Sequence, residues 1–371
     1  MRGQWIGIYE GTNGGQIILD MDDEGSHFRG TAVAFENDPN LPSIVAGITT
    51  TDRTLPQKLK IRDLAVIRPG STQLISRDDF AEEFPEVSVP TELTVTFTEI
   101  TDGLRVDWAS DVGTQGSGTL LRSRCDMPSD VAINTAITTW DQFKEYVFAL
   151  GDREWMFRGQ GVSKRLRTSF HRSRRTDLLN YISKIVPEAH RALTARTRHL
   201  FNLSIGEQNG AFLNLLQHHG FPTPLLDWSH SPFVAAFFAY RHGGRRETES
   251  DKVRIFMFAR ASWVADWSQI SVLTFARPHF SILEALSIEN PRAIPQQAIS
   301  SVTNVDDIES YIHEREVEKN KVYLHVIDLP FSERRRVMHE LSLMGITAGS
   351  LFPGLDGACE ELSGRFFHPL P

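Results

Sequence analysis

The sequence predicts an α+β protein in two parts: a small antiparallel β-barrel or sandwich at the N-terminus, then a mixed α+β domain. Three observations carry this. Short alternating apolar runs bounded by Gly and Asp turns recur through residues 1–125. From Thr139 onward, capped helical stripes mix with apolar strands without a regular βαβ rhythm. The charge divides at the same place. Residues 1–125 hold 11 Lys/Arg against 19 Asp/Glu, and the remainder balances 28 against 28.

In chain order, Ile17–Leu19 is an apolar run between Asn13-Gly14-Gly15 and Asp22-Asp23-Glu24-Gly25. Phe28–Phe35, Glu92–Ile100 and Gly103–Trp108 follow as strands, and Gly116–Leu121 closes the set. Leu93, Val95 and Phe97 alternate with threonines, the period of a half-buried strand. Thr101-Asp102-Gly103 marks a hairpin. Residues 126–151 read as a linker and one helix. Thr139 and Gln142 form a capping box, Trp140, Phe143, Val147 and Leu150 form the stripe, and Gly151 ends it. In residues 152–371, Trp155–Gln160, Arg254–Phe258 and Lys321–Leu329 read as strands. Asn209–His219, Pro232–Tyr240, Asn304–Glu318 and Ser332–Met344 read as helices.

Composition narrows the function classes. The chain has 371 residues, a net charge of −8 and two cysteines, Cys125 and Cys359. That pattern disfavours a disulfide framework and a Cys-based metal site, and a reducing cytoplasm suits it. No apolar run reaches the ~20 residues that span a bilayer, so no membrane role is expected. The acidic front part argues against an extended nucleic-acid footprint.

Three segments carry chemistry. Phe157-Arg158-Gly159-Gln160-Gly161 sets an arginine at a strand end before two glycines. The guanidinium fork suits phosphate, and the glycines let backbone approach a ligand. A buried arginine paired to a carboxylate fits the same letters equally well, and Phe28-Arg29-Gly30 repeats them inside a hairpin-like stretch. The second segment runs from Gln217 to Pro232 and includes His218, His219, Asp227, Trp228, Ser229 and Ser231. Ser231 suits an N-cap with Pro232 at the first helical position, and a helix N-terminus also suits phosphate. The two histidines have no third ligand at metal spacing, so no metal is expected. The third segment, Asn290–Gln297, reads as a fixed loop beside a short strand. After the first segment come Lys164, Arg165, Arg167, Arg172, Arg174 and Arg175. They form either a phosphate-binding cluster or a solvated helix face.

Together FRGQG, QHHGFPTPLLDWSHSPFVAAFFA, NPRAIPQQA and LFPGLDGACEEL resemble the FRG domain family over about residues 140–371. The layout is similar, more remotely, to ADP-ribosyltransferase folds. That resemblance implies NAD as substrate, with ADP-ribose transferred or the dinucleotide cleaved. Arg158 would bind the nicotinamide ribose or diphosphate, and Ser229 and Ser231 the ribose. Gln296, or its neighbour Gln297, would stand at the late catalytic position. Gly159, Gln160, Asp227 and Trp228 complete the implied cofactor contacts. The chain has Gln-Gln-Ala where a Gln-x-Glu is expected, so a neutral amide replaces the catalytic charge. Glu154, Asp227, Glu284 and Glu289 are the carboxylates able to substitute. The alternative is a catalytically silent nucleotide-binding module. The architecture implies a toxin-like effector of bacterial (antiphage) defence, acting on a protein or nucleic-acid acceptor. Residues 1–125 would serve as its sensor or targeting domain, binding a ligand or partner protein.

Overall fold

The structure, a computed structural model, describes residues 1–241 and 251–367. Ten N-terminal strands form one antiparallel sheet. They are β1 (Gly3–Gly11), β2 (Gly15–Asp23), β3 (Phe28–Glu36), β4 (Ser43–Thr49) and β5 (Gln57–Ile61), then β6 (Leu64–Ile67), β7 (Leu74–Ile75), β8 (Leu93–Ile100), β9 (Gly103–Ser110) and β10 (Gln115–Arg122). Helix α1 (Arg77–Glu83) lies between β7 and β8, with Ser76 as its N-cap. The spatial order is β5-β8-β9-β10-β1-β2-β3-β4-β6-β7.

The antiparallel sheet expected as a barrel or sandwich is present, and it is not closed into a barrel. The chain turns at Arg62-Asp63, and β6 then pairs with β4, while β5 pairs with β8. The edge of β4 that closure would need is thereby occupied. The Gly47 N–H also donates to the Asp63 carbonyl at 2.9 Å across this seam. One face of the sheet carries Tyr9, Ile17, Leu19, Ala46, Val95, Phe97 and Leu120. Ile18, Phe35 and Val45 occupy the other face and meet Leu179 and Phe275 of the C-terminal half. Strand β2 is therefore buried on both faces, which is why Ile17–Leu19 is a continuous apolar run rather than an alternating one.

The C-terminal half is built on six antiparallel strands. They are β11 (Met156–Gln160), β12 (Leu225–Ser229), β13 (Lys252–Phe258), β14 (Phe280–Leu283), β15 (Ala298–Thr303) and β16 (Leu324–Pro330), in the order β14-β15-β12-β11-β13-β16. Its helices begin with α2 (Trp140–Phe148), α3 (Ser169–Arg172), α4 (Leu178–Asn180), α5 (Val186–Leu193), α6 (Gly206–His218) and α7 (Pro232–Tyr240). They continue with α8 (Arg260–Asp266), α9 (Ile308–Lys319), α10 (Arg334–Leu343), α11 (Ala348–Leu351) and α12 (Leu355–Phe367). The Thr139–Gln142 capping box forms at α2. Helix α9 starts four residues later than expected, because Asn304 is bonded to the Ala276 carbonyl, the Asp306 N–H to Gln4 Oε1, and Asp307 is the cap.

Helices α2, α7, α10 and α11 supply the core on one face of this sheet. Trp263 of α8 and Ile308 and Ile312 of α9 pack on the other. Helix α7 is apolar on nearly every side because β11 and the surrounding helices enclose it. Burial of one large side chain there, such as Phe237, contributes roughly 1.5–3 kcal/mol. Among the described residues, no helix is long and apolar enough to cross a membrane.

Candidate functional site

The site begins at a split in the C-terminal sheet. Strand β11 pairs with β13 from Met156 to Gln160. With β12 it pairs at one position only, Phe157 opposite Ser229. Beyond that pair the strands diverge, and the carbonyl of Asp227 has no strand partner on the β11 side. A backbone acceptor in this position needs a donor. Arg158 supplies it: Nη1 donates to the Asp227 carbonyl at 2.6 Å. The Nε of Arg158 is buried without a partner, while the residue as a whole is half-buried. Burial lowers Arg158 to about 10, countered in part by Asp227, so the group stays charged at neutral pH.

The Asp227 carboxylate is exposed and points to the end of α6, where Gln217 Nε2 donates to Oδ1 at 2.6 Å. Gln217 is itself fixed, because its amide oxygen accepts from the Thr223 hydroxyl. Arg172 at the end of α3 is exposed, and its Nη1 donates to the Arg167 carbonyl at 2.7 Å; partial burial of the guanidinium lowers its pKa and the nearby Asp227 carboxylate counters this. On the other side of α6, Arg292 donates to the His218 carbonyl at 3.3 Å, with its guanidinium 4.9 Å from the Phe352 ring centre. Burial, then Arg292 and His219, hold His218 down to about 4, so it is neutral at pH 7. The result is a polar arc with two guanidinium groups beside one carboxylate. Such an arrangement can grip a diphosphate and present a negative charge next to it.

The remaining predicted residues have definite places. Ser229 Oγ donates to the Gln296 carbonyl at 2.7 Å and accepts from the Ser231 N–H at 2.9 Å. Ser231 Oγ caps α7 by accepting from the Val234 N–H. Gln296 thus lies against Ser229, but its amide turns away and donates to the Leu351 carbonyl at 2.9 Å. The backbone of neighbouring Gln297 has positive φ, and its carbonyl accepts from the His230 N–H. The Trp228 indole is buried and donates to Ser301 Oγ. Gln160 donates to the Lys164 carbonyl. Gly159 sits under α7, where a Cβ would lie 1.8 Å from the Ala235 carbonyl oxygen.

Of the possible substitute carboxylates, Asp227 alone stands beside Arg158. Glu284 pairs with Arg260, and Glu289 accepts from the His199 N–H. Glu154 folds against Gly151. Half of the basic cluster, three of its six members, is engaged in ion pairs. Arg165 is buried between Asp130 and Asp307, Arg167 binds Asp306 and Asp126, and Arg175 binds Asp22 and Glu24 of the N-terminal half. Among the described residues, no group of three or more His, Cys, Asp or Glu is placed to hold a metal ion.

Gln217 and Arg292 were visible in the sequence but carried no role there. Their part emerges only when α6 and the 290–297 loop are packed against β12.

Comparison with known proteins gives one match: the family model described as FRG domain aligns with residues 153–248. No curated protein and no solved structure matches the chain. The aligned stretch contains the split at β11 and β12, Arg158, Gln217 and Asp227. The chain carries an FRG domain.

Proposed function

We propose that the FRG domain binds NAD at the Arg158–Asp227 arc and cleaves its nicotinamide–ribose bond in the manner of an ADP-ribosyltransferase. The observation that carries this reading is the Asp227 carboxylate, held by Gln217 beside Arg158 and Arg172. Arg172 and Arg158 would take the diphosphate. As the C–N bond breaks, nicotinamide leaves with the bonding pair, and positive charge develops on the ribose C1′–O4′ unit. Asp227 would stabilise that charge, the role a neutral Gln296 amide cannot fill. Water or an acceptor hydroxyl then adds to C1′ and gives its proton to solvent or to Asp227.

A second reading is a nucleotide-binding module without turnover. It is favoured by the Gln296 amide being committed to Leu351 rather than to the arc. Titration calorimetry with NAD and ADP-ribose separates the readings when run beside a nicotinamide-release assay. Heat with release supports the enzyme, and heat without release supports the module. No heat from either ligand removes both. Arg172→Ala should weaken binding about tenfold or more by removing one charge-assisted contact of ~1.5–3 kcal/mol.

A further inference from the structure

The face of the N-terminal sheet that carries Ile17, Leu19 and Phe97 lines a half-open cavity of about 450 Å³ that lies apart from the Arg158 arc. A volume of this size falls in the range of small-molecule pockets, ~300–1,000 Å³. The cavity exists because of residue size at particular positions. Ala32 on β3 stands directly opposite Ala46 on β4, and Ala34 is two residues further along β3. The surrounding walls, including Ile17, Leu93, Phe97 and Trp108, are large and apolar.

One end of the cavity is polar. Tyr9 and Glu36 flank Gly15, which pairs with Tyr9 on one side and with Glu36 on the other. Tyr9 is 3% exposed, and its hydroxyl faces the Glu36 carboxylate, which Asn13 also approaches, although neither the hydroxyl nor Glu36 Oε2 makes a hydrogen bond of good geometry. Burial raises the pKa of both groups; the neighbouring carboxylate raises Tyr9 further, while Tyr9 and Asn13 partly offset the rise at Glu36. Tyr9, Asn13 and Glu36 line the cavity together, so its otherwise apolar wall ends in a polar spot whose poorly aligned carboxylate can accept a better-placed donor from a ligand. The occupant that fits is apolar over most of its length and donates a hydrogen bond at one end.

We propose that this cavity binds a small apolar molecule bearing one hydroxyl or amine group, seated with that group against Tyr9 and Glu36. The Glu36 carbonyl also accepts from Arg277 of the C-terminal half at 2.5 Å. The polar end of the cavity therefore adjoins the contact between the halves.

The test uses the full chain and the neutral dye N-phenyl-1-naphthylamine, an apolar aromatic amine. Binding should raise its fluorescence and quench Trp108. Ala46→Phe, which fills the cavity opposite Ala32, should weaken binding at least about tenfold. Ala34→Leu serves the same purpose should Ala46→Phe fail to fold. On the unmodified chain, decanol and decylamine should displace the dye at concentrations roughly tenfold lower than decanoate, whose carboxylate meets Glu36. Glu36→Gln should narrow that difference. The proposal is overturned if the unmodified chain leaves the dye dark, or if folded Ala46→Phe binds it unchanged. Displacement by decanoate as efficient as by decanol also overturns it.

Discussion

Gly159 and Gly161 lie two residues apart in the same five-residue motif, and substituting each with alanine shows which of them helix packing requires. At Gly159 a Cβ would stand 1.8 Å from the Ala235 carbonyl oxygen, 2.7 Å from the Ala239 nitrogen and 2.8 Å from the Ala235 carbonyl carbon. All three are helix backbone and cannot rotate aside, so α7 must lift from β11. Overpacking of this kind costs ~1–3 kcal/mol, and a rigid helix puts Gly159→Ala at or above the top of that range. At Gly161 the nearest atom to an added Cβ is the Ala239 carbonyl oxygen at 3.5 Å, an ordinary contact. Gly161→Ala should stay within ~0.5 kcal/mol of the parent. Urea unfolding followed by helical circular dichroism measures both, and in a thermal scan ~3 kcal/mol lowers the midpoint by roughly 6–12 °C. Equal stability of the two variants, or a Gly159→Ala protein as stable as the parent, would refute the packing role.

The other predictions follow from buried charge. Arg254 and Asp328 form a two-pronged pair, 2.7 and 2.8 Å, at 4% and 6% side-chain exposure. Asp328→Asn should cost ~3–5 kcal/mol in urea unfolding, and Arg254→Met with Asp328→Leu should recover much of it. Arg165→Ala should destabilise by a similar amount, because it strands Asp307, whereas Lys164→Ala should be nearly neutral. His171 and His279 are held down to about 4 by burial. Their folded pKa values lie below the ~6.5 of the unfolded chain, so their stabilisation is complete above that pH and is lost as pH falls towards 4. Unfolding free energy measured from pH 7 to 4 should drop over that window, and His279→Gln should flatten part of the drop.

What the sequence made legible was local. The Thr139–Gln142 box, the Ser231 cap before Pro232 and the alternation in Leu93–Phe97 depend on residues within a few positions of one another. The alternation predicts the antiparallel sheet but leaves barrel and sandwich open, and closure is decided by β6 taking the edge of β4 after Arg62-Asp63 rather than by any periodicity. The basic run after Arg158 was ambiguous for a related reason. Its partners are Asp22, Asp126, Asp130 and Asp306–Asp307, remote in the chain and invisible to spacing. The candidate site was named in outline, but not its working arrangement. The split between β11 and β12, and the ten-residue reach from Gln217 to Asp227, are tertiary facts.

The proposed chemistry rests on Asp227 carrying the charge that Gln296 lacks, and nicotinamide release from NAD by the purified chain tests this most directly. The parent should release nicotinamide, Asp227→Asn should be slower by ~10²–10³, and Gln296→Ala should lose less than about tenfold. Release by Asp227→Asn at the parental rate, or abolished by Gln296→Ala alone, would contradict it.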